Sequence, residues 1–127
     1  MAGSITDVVI KEVGKKIGEL TRSFYEAVMP PVDVYEEGNF VVVVADLAGF
    51  PKEKIKVRAV GNDEVVIEAE RDLQTPQNAS VTQRPRRVRR SVKLPSKVKP
   101  EEGTATYENG VLTVKLPIAG TTEIKLS

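Results

Sequence analysis

The chemistry open to this sequence is narrow, because its 127 residues include no histidine and no cysteine. Without them the chain cannot form a Ser-His or Cys-His nucleophile pair or a thiolate or imidazole metal site. The phosphate-binding patterns G-x-x-x-x-G-K-[ST] and G-x-G-x-x-G are also absent. The adjacent acids Glu36-Glu37 and Glu101-Glu102 lie in turn-like settings and are interpreted as solvated. The sequence therefore predicts a protein that is not an enzyme, with no cofactor and no metal.

Arg90 is the residue whose type and position most directly predict an interaction. In an extended strand over residues 86–94 it lies on the same face as Val88, Val92 and Leu94. A charge among apolar side chains is costly unless it is paired, and a guanidinium can bind a carboxylate through two hydrogen bonds. The pattern predicts an acidic partner across an interface. The alternative is an arginine at the open end of a strand, with its charged group in water.

Arg90 belongs to a basic stretch, since residues 73–100 contain eight lysines and arginines and no acid. Such a stretch is one signature of a nucleic-acid surface. However, it holds no aromatic residue to stack on bases, and the whole chain carries a net charge of only +1. We expect no nucleic-acid partner and no membrane partner. The stretch is interpreted as a basic strand that complements acids on a neighbouring subunit.

Three zones of the chain must position these residues. Residues 1–30 predict a helical arm, because apolar residues recur along one helical face and Pro30 ends the pattern. This arm either packs on its own domain or seeks a partner. Residues 31–117 alternate apolar and polar positions between frequent turn signals, which predicts an all-β antiparallel sandwich. Residues 118–127 predict an extended tail in which Ile124 and Leu126 point the same way.

The longest apolar run, residues 40–45, is too short to span a bilayer. The first residues lack the basic and apolar regions of a secretion signal. A soluble, cytoplasmic protein is therefore the expectation.

Several motifs occur in the order that is usual in the small heat-shock proteins. The pattern A-x-x-x-N-G-V-L is matched at residues 105–112, and D-L-P-G-F is matched at residues 46–50 with Ala48 in place of proline. An opening segment that ends in Asp33-Val34-Tyr35 precedes them, and the tail motif I-x-I/V is approximated by Ile124-Lys125-Leu126. The sequence thus resembles this family, and its archaeal and bacterial members above all. The resemblance implies an immunoglobulin-like antiparallel β-sandwich, the α-crystallin domain, with an N-terminal amphipathic helix and an extended C-terminal tail.

The resemblance also implies four contact regions. The tail anchor consists of Ile124 and Leu126, which enter a groove on a neighbouring subunit. The strands over residues 65–70 and 111–116 are expected to form the groove walls, with the receiving residues Val65, Val66, Ile67, Val111, Leu112 and Val114. The dimer interface is expected to contain Arg90 and a short strand in the polar loop of residues 74–84, around Val81, Thr82 and Gln83. The alternative for that loop is a mobile surface segment. Clients are expected on the helical stripe of Val13, Ile17, Leu20 and Phe24.

The function implied is that of an ATP-independent holdase chaperone. It would bind partly unfolded proteins, prevent their aggregation and work as a dynamic homo-oligomer of dimers. The alternative is a co-chaperone-like adaptor: the same sandwich, binding one folded partner without forming large oligomers. The apolar tail separates the two, because an adaptor has no use for an Ile-x-Leu end.

Overall fold

The computed structural model describes residues 5–120 and 125–126, with side chains from residue 12 onwards in those ranges. The described residues form one α-helix and seven β-strands. These are α1 (Ile5–Val28), β1 (Val32–Glu37), β2 (Phe40–Asp46), β3 (Ile55–Val60), β4 (Glu64–Glu70), β5 (Arg87–Lys93), β6 (Thr104–Glu108) and β7 (Val111–Pro117). No helix in the described part of the chain is both long and apolar enough to cross a membrane.

The strands form two antiparallel sheets that enclose one core. Sheet A has the order β1-β2-β7-β6, and sheet B has the order β3-β4-β5. Alternate residues of each strand point inward, so that Val41, Val43 and Ala45 of β2 face Val65 and Ile67 of β4 across the core. The predicted antiparallel β-sandwich with a helix at its N-terminal end is confirmed.

The hairpin between β6 and β7 turns at Asn109-Gly110, as the sequence predicts. Both residues have positive φ, 52° and 78°, which a tight hairpin turn requires. Gly110 is also pressed against a second turn, because a Cβ at this position would lie 2.9 Å from the Cα of Ala48. The amide of Leu47 donates a 2.7 Å hydrogen bond to the Gly110 carbonyl. The two turns therefore support each other, and glycine is required for both its φ and its size.

We expect Gly110→Ala to destabilise the domain more than Gly38→Ala does. Gly38 also has a positive φ, 60°, but a Cβ there would meet nothing within 4 Å. Gly38→Ala, the control, should lower the free energy of unfolding by about 1 kcal/mol, from the backbone conformation alone. The test variant should cost about 3 kcal/mol, because it adds the clash with Ala48. Chemical unfolding at one fixed protein concentration measures both, and equal losses would show that the contact between the turns is unimportant.

Candidate assembly and binding surfaces

A groove runs between the two strand edges β3 and β6, where sheets A and B end. Two adjoining cavities of about 150 and 230 Å³ open along it. Val57 of β3 and Ala105 of β6 line both cavities. The small side chains of Ala59 and Ala105 keep this space open. An apolar groove beside free strand edges can accept an extended peptide, through main-chain hydrogen bonds and side-chain pockets.

The structure corrects the predicted walls of this groove. Strands β4 and β7 are interior, with a neighbour on each side, so neither offers a free edge. Val65, Val66 and Ile67 are at most 1% exposed. Val65, Leu112 and Val114 reach the cavities from below, whereas Val66, Ile67 and Val111 do not line them. The walls lie one strand further out, because an alternating pattern shows which face of a strand is buried but not which strand is at the edge.

The predicted tail anchor is only partly described. Leu126 is 97% exposed, and Ile124 lies outside the described residues. Leu126 is therefore not buried against its own subunit. Its role as an anchor stays a prediction.

Helix α1 is seated on its own chain by its glycine-containing face. A Cβ at Gly14 would lie 3.3 Å from the carbonyl oxygen of Ser80, and one at Gly18 would lie 3.0 Å from the amide nitrogen of Thr82. Side-chain hydrogen bonds extend this contact toward the end of the helix. Arg22 Nε donates to the Arg84 carbonyl at 3.1 Å, and the Arg86 amide donates to Glu26 Oε1 at 3.1 Å.

The apolar stripe of α1 points away from this contact. Leu20 is 73% exposed and Phe24 is 60% exposed, and Val13 and Ile17 are also exposed. Both interpretations of the helix are thus partly right. It is docked on its own domain, but the face that the sequence predicted to be buried or to seek a partner is uncovered in the single subunit.

The loop expected to hold a pairing strand is not a strand in this structure. Within the described part of the chain, no hydrogen bond between main-chain groups involves residues 80–83. Val81 is exposed, while Gln83 Nε2 donates to Thr21 Oγ1 of the helix at 3.2 Å. Pairing of this segment with a second subunit stays a prediction.

Arg90 lies on the inward face of β5 between the buried Val88 and Val92, as predicted. Its Nη1 donates to the carbonyl oxygens of Val28, at 3.4 Å, and Pro30, at 3.2 Å. Carbonyls at the C-terminal end of a helix lack intrahelical donors and attract cations. Within the described residues of this one chain, the acceptors of Arg90 are therefore main-chain oxygens, and the acidic partner across an interface stays a prediction. Its role in a dimer interface is untested.

Two basic residues of β5, Arg89 and Lys93, pair with acids of their own chain. Glu68 of β4 lies between two arginines, 3.1 Å from Arg58 of β3 and 3.4 Å from Arg89 of β5. Lys93 pairs with Asp63 at 3.1 Å. The interpretation that the basic strand complements acids on a neighbouring subunit stays a prediction.

Sequence reasoning missed a cluster of hydrogen bonds and one cation–π contact that connects groove strand β6 to the loop before β5. The hydroxyl of Tyr107, on groove strand β6, lies 2.7 Å from the Leu47 carbonyl oxygen and 2.8 Å from that of Phe50. The Arg71 guanidinium stacks 4.2 Å over the Phe50 ring, and its Nε donates to the Pro85 carbonyl at 2.9 Å. Burial lowers the pKa of Arg71, and the charge of Arg84 lowers that pKa further. The available signal was a tyrosine in the strand before the Asn-Gly hairpin.

We expect Tyr107→Phe to lower the free energy of unfolding by about 1–2 kcal/mol, because two carbonyls lose their shared donor. Tyr35→Phe is the matched control, since Tyr35 lies on the outer face of sheet A and is exposed. Chemical unfolding of the two variants should separate them. A loss as small as that of the control would mean that the Tyr107 hydroxyl does not hold the turn.

The described residues define a class of protein. A sandwich with open strand edges, an apolar groove and an uncovered helix face has the surfaces by which domains of this type accept another polypeptide chain. Residues 33–125 match the Hsp20/alpha crystallin family, and the chain belongs to that family. The family consists of small heat-shock chaperones, which are not enzymes. The predicted resemblance is thereby confirmed.

Relatives by sequence include plant proteins. A 17.8 kDa class I heat shock protein of Arabidopsis thaliana is 36% identical over 90 residues, which cover 68% of this chain and 57% of that protein. An 18.5 kDa class I heat shock protein of Glycine max is 32% identical over 103 residues, which cover 78% of this chain and 64% of that protein. The chain therefore spans less than two thirds of the length of these curated relatives.

Solved structures also match. A mutant of hsp14.1 from Sulfolobus solfatataricus P2 is 47% identical with a TM-score of 0.76, and the match covers 99% of this chain and 100% of that one. A small heat-shock protein from Xylella fastidiosa is 28% identical with a TM-score of 0.65, over 79% of this chain and 95% of that one. These neighbours support the assignment of the fold.

Proposed function

We propose that this protein is an ATP-independent holdase chaperone that binds partly unfolded proteins and works as a dynamic homo-oligomer of dimers. The observation that carries the proposal is the apolar stripe of α1, which stays exposed although the helix is seated. Apolar surface of this kind binds the exposed apolar segments of an unfolding protein. Capture is burial of apolar area, so it requires no nucleotide. Membership of a chaperone family supports the proposal.

Assembly beyond the dimer is proposed to use the tail. Ile124 and Leu126 of one subunit would enter the groove between β3 and β6 of a neighbour. In an extended chain, residues two apart are separated by about 6.7 Å and point the same way. Two adjoining cavities offer one receiving site for each side chain. The shape of the groove supports this occupant, because extended peptides bind to free strand edges.

Tail docking should be weak for one contact and strong for many. Each side chain gains about 1.5–3 kcal/mol on full burial, before the cost of ordering the tail. A single docked tail is therefore reversible. Several tails acting together in one particle raise the effective concentration of each, so the particle persists while its subunits exchange. The Xylella fastidiosa relative is described as having a distinct high order structure, which is consistent with assembly in this family.

Dimers are proposed to form when residues 80–83 of one subunit pair with β1 of another. Strand β1 pairs only with β2, so its outer edge is free among the described residues. It carries Asp33, Glu36 and Glu37, whereas Arg84 and Arg86 follow the 80–83 segment. Opposite charges on the two segments favour this pairing over pairing of like edges.

The test combines two measurements on the full chain without nucleotide. Light scattering gives the particle mass, and turbidity follows the heat-induced aggregation of a test client at several chaperone ratios. We expect a particle much larger than two chains and suppression of turbidity that rises with the ratio. A monomer or dimer that leaves the client to aggregate would overturn the proposal and favour the adaptor.

A further inference from the structure

The contact between α1 and the loop covers main-chain groups. Gly18 lies over Thr82, where a Cβ would be 3.0 Å from the amide nitrogen and 3.3 Å from the carbonyl oxygen. Gly14 lies in the same way over the carbonyl of Ser80. Glycine at these positions lets the two backbones approach closely, with the Val81 side chain packed beside them at 3.4 Å from the Cβ position of Gly18.

The covered groups belong to the segment proposed to pair with a second subunit. Strand pairing requires free N–H and C=O groups along an edge. Within the described residues, the 80–83 segment has no main-chain hydrogen bond, so these groups are chemically available. Access to Thr82 and Ser80 is limited by the helix. A seated α1 and full exposure of this edge therefore exclude each other.

The contact is also one that can open. Among the described residues, three side-chain hydrogen bonds hold the helix to the loop. Those of Arg22 and Glu26 lie at the surface, and the one between Gln83 and Thr21 is partly buried. The apolar stripe contributes nothing to it, because that stripe faces away. Thermal motion or a client that pulls on the stripe can therefore release the helix without breaking a hydrophobic core.

We propose that α1 is an autoinhibitory contact on the pairing segment. A subunit with α1 seated offers residues 80–83 poorly to a neighbour, and release of α1 frees the segment to pair and exchange. The inference rests on the proposed function, in which this segment forms the dimer. Both glycines weaken the helix itself. The inference gives a reason for their presence, which is the close contact between the helix and the loop.

The test variant is Gly14→Ala with Gly18→Ala. Alanine strengthens the helix but places methyl groups against Ser80 and Thr82, so the helix persists and its seat is lost. In subunits dissociated by dilution, hydrogen exchange of the 80–86 amides should become at least about fivefold faster, and in the assembled protein subunit exchange should accelerate by a similar factor. Ser23→Ala is the matched control, because Ser23 is exposed and is not among the helix residues that contact the loop. It should change neither rate.

Subunit exchange is measured by energy transfer between separately labelled populations. The natural chain has no cysteine, so Gly120→Cys gives one labelling site, and a Cβ there meets nothing within 4 Å. Two results would overturn the autoinhibitory contact. One is faster hydrogen exchange at 80–86 with unchanged subunit exchange, and the other is unchanged hydrogen exchange in the double variant.

A further variant separates this inference from the proposed function. Thr82→Pro removes an N–H that strand pairing would use. If the dimer survives this change, residues 80–83 are not the pairing strand, and the proposed dimer contact and the autoinhibitory contact are both wrong. If the dimer is lost while the glycine variant leaves subunit exchange unchanged, only the autoinhibitory contact is wrong.

Discussion

Changing both Ile124 and Leu126 to serine is expected to reduce the particle to dimers. The two side chains together stand to lose about 3–6 kcal/mol of burial for each docked tail. Even after the cost of ordering the tail, a change of this size lowers the affinity of one contact by a factor of about a hundred or more. Since the assembly depends on many such contacts, the loss is amplified. Light scattering should then report a mass near that of two 13.9 kDa chains.

Lys125→Ser is the control for the tail. Lys125 lies between the two anchors, points the other way in an extended chain and is exposed. Its replacement should leave the mass unchanged. Ala105→Leu tests the receiving side, because Ala105 lines both cavities and a larger side chain there would narrow them, so this variant should also lower the mass. A double serine variant that keeps the mass of the natural protein would show that the tail does not hold the particle together.

Replacing Leu20 and Phe24 by serine is expected to abolish most of the suppression of client aggregation. These residues are the most exposed part of the α1 stripe, so they contribute the apolar area that a client can bury. The loss of two such side chains removes about 3–5 kcal/mol of potential contact. Turbidity of a heated client should return almost to the level seen without chaperone.

The matched control for the stripe is Glu19→Ser, on the exposed polar side of the same helix. It changes helix propensity in the same direction without removing apolar area. Particle mass must be measured for both variants, because a change in assembly could by itself reduce the suppression of client aggregation. If the Leu20 and Phe24 variant keeps both its mass and full suppression, clients bind elsewhere.

The sequence was sufficient for the architecture. The continuous valine-rich run at residues 40–45 and the Asn109-Gly110 turn are local signals, and both appear in the structure where expected. The absence of histidine and cysteine restricts the chemistry without any structure. The face of Arg90 was also predictable, because a strand alternates with period two.

What the sequence did not predict concerns relations between distant residues. Strand order decided that β3 and β6, rather than β4 and β7, border the groove, and no local pattern encodes strand order. The acceptors of Arg90 are about 60 residues away along the chain, at the end of α1. Glu68 meets Arg89 only because β4 pairs with β5 in one particular register.

The contact face of helix α1 differs from the one that its sequence pattern favours. Its apolar face was the natural candidate for packing, yet the face that contacts the chain contains Gly14 and Gly18. From sequence alone, glycine in a helix indicates only a lower helix stability. Its second role, close approach of two backbones, becomes visible only when the partner segment is known.

The most direct test of the proposed function is to map where a client touches the chaperone. A photoreactive group on a single cysteine, introduced at Leu20 or at Lys15 on another face of α1, reports contact at each position. We predict that a heated client cross-links strongly through position 20 and weakly through position 15. Equal cross-linking at both, or cross-linking at position 15 alone, would contradict the claim that the uncovered apolar stripe captures unfolding proteins.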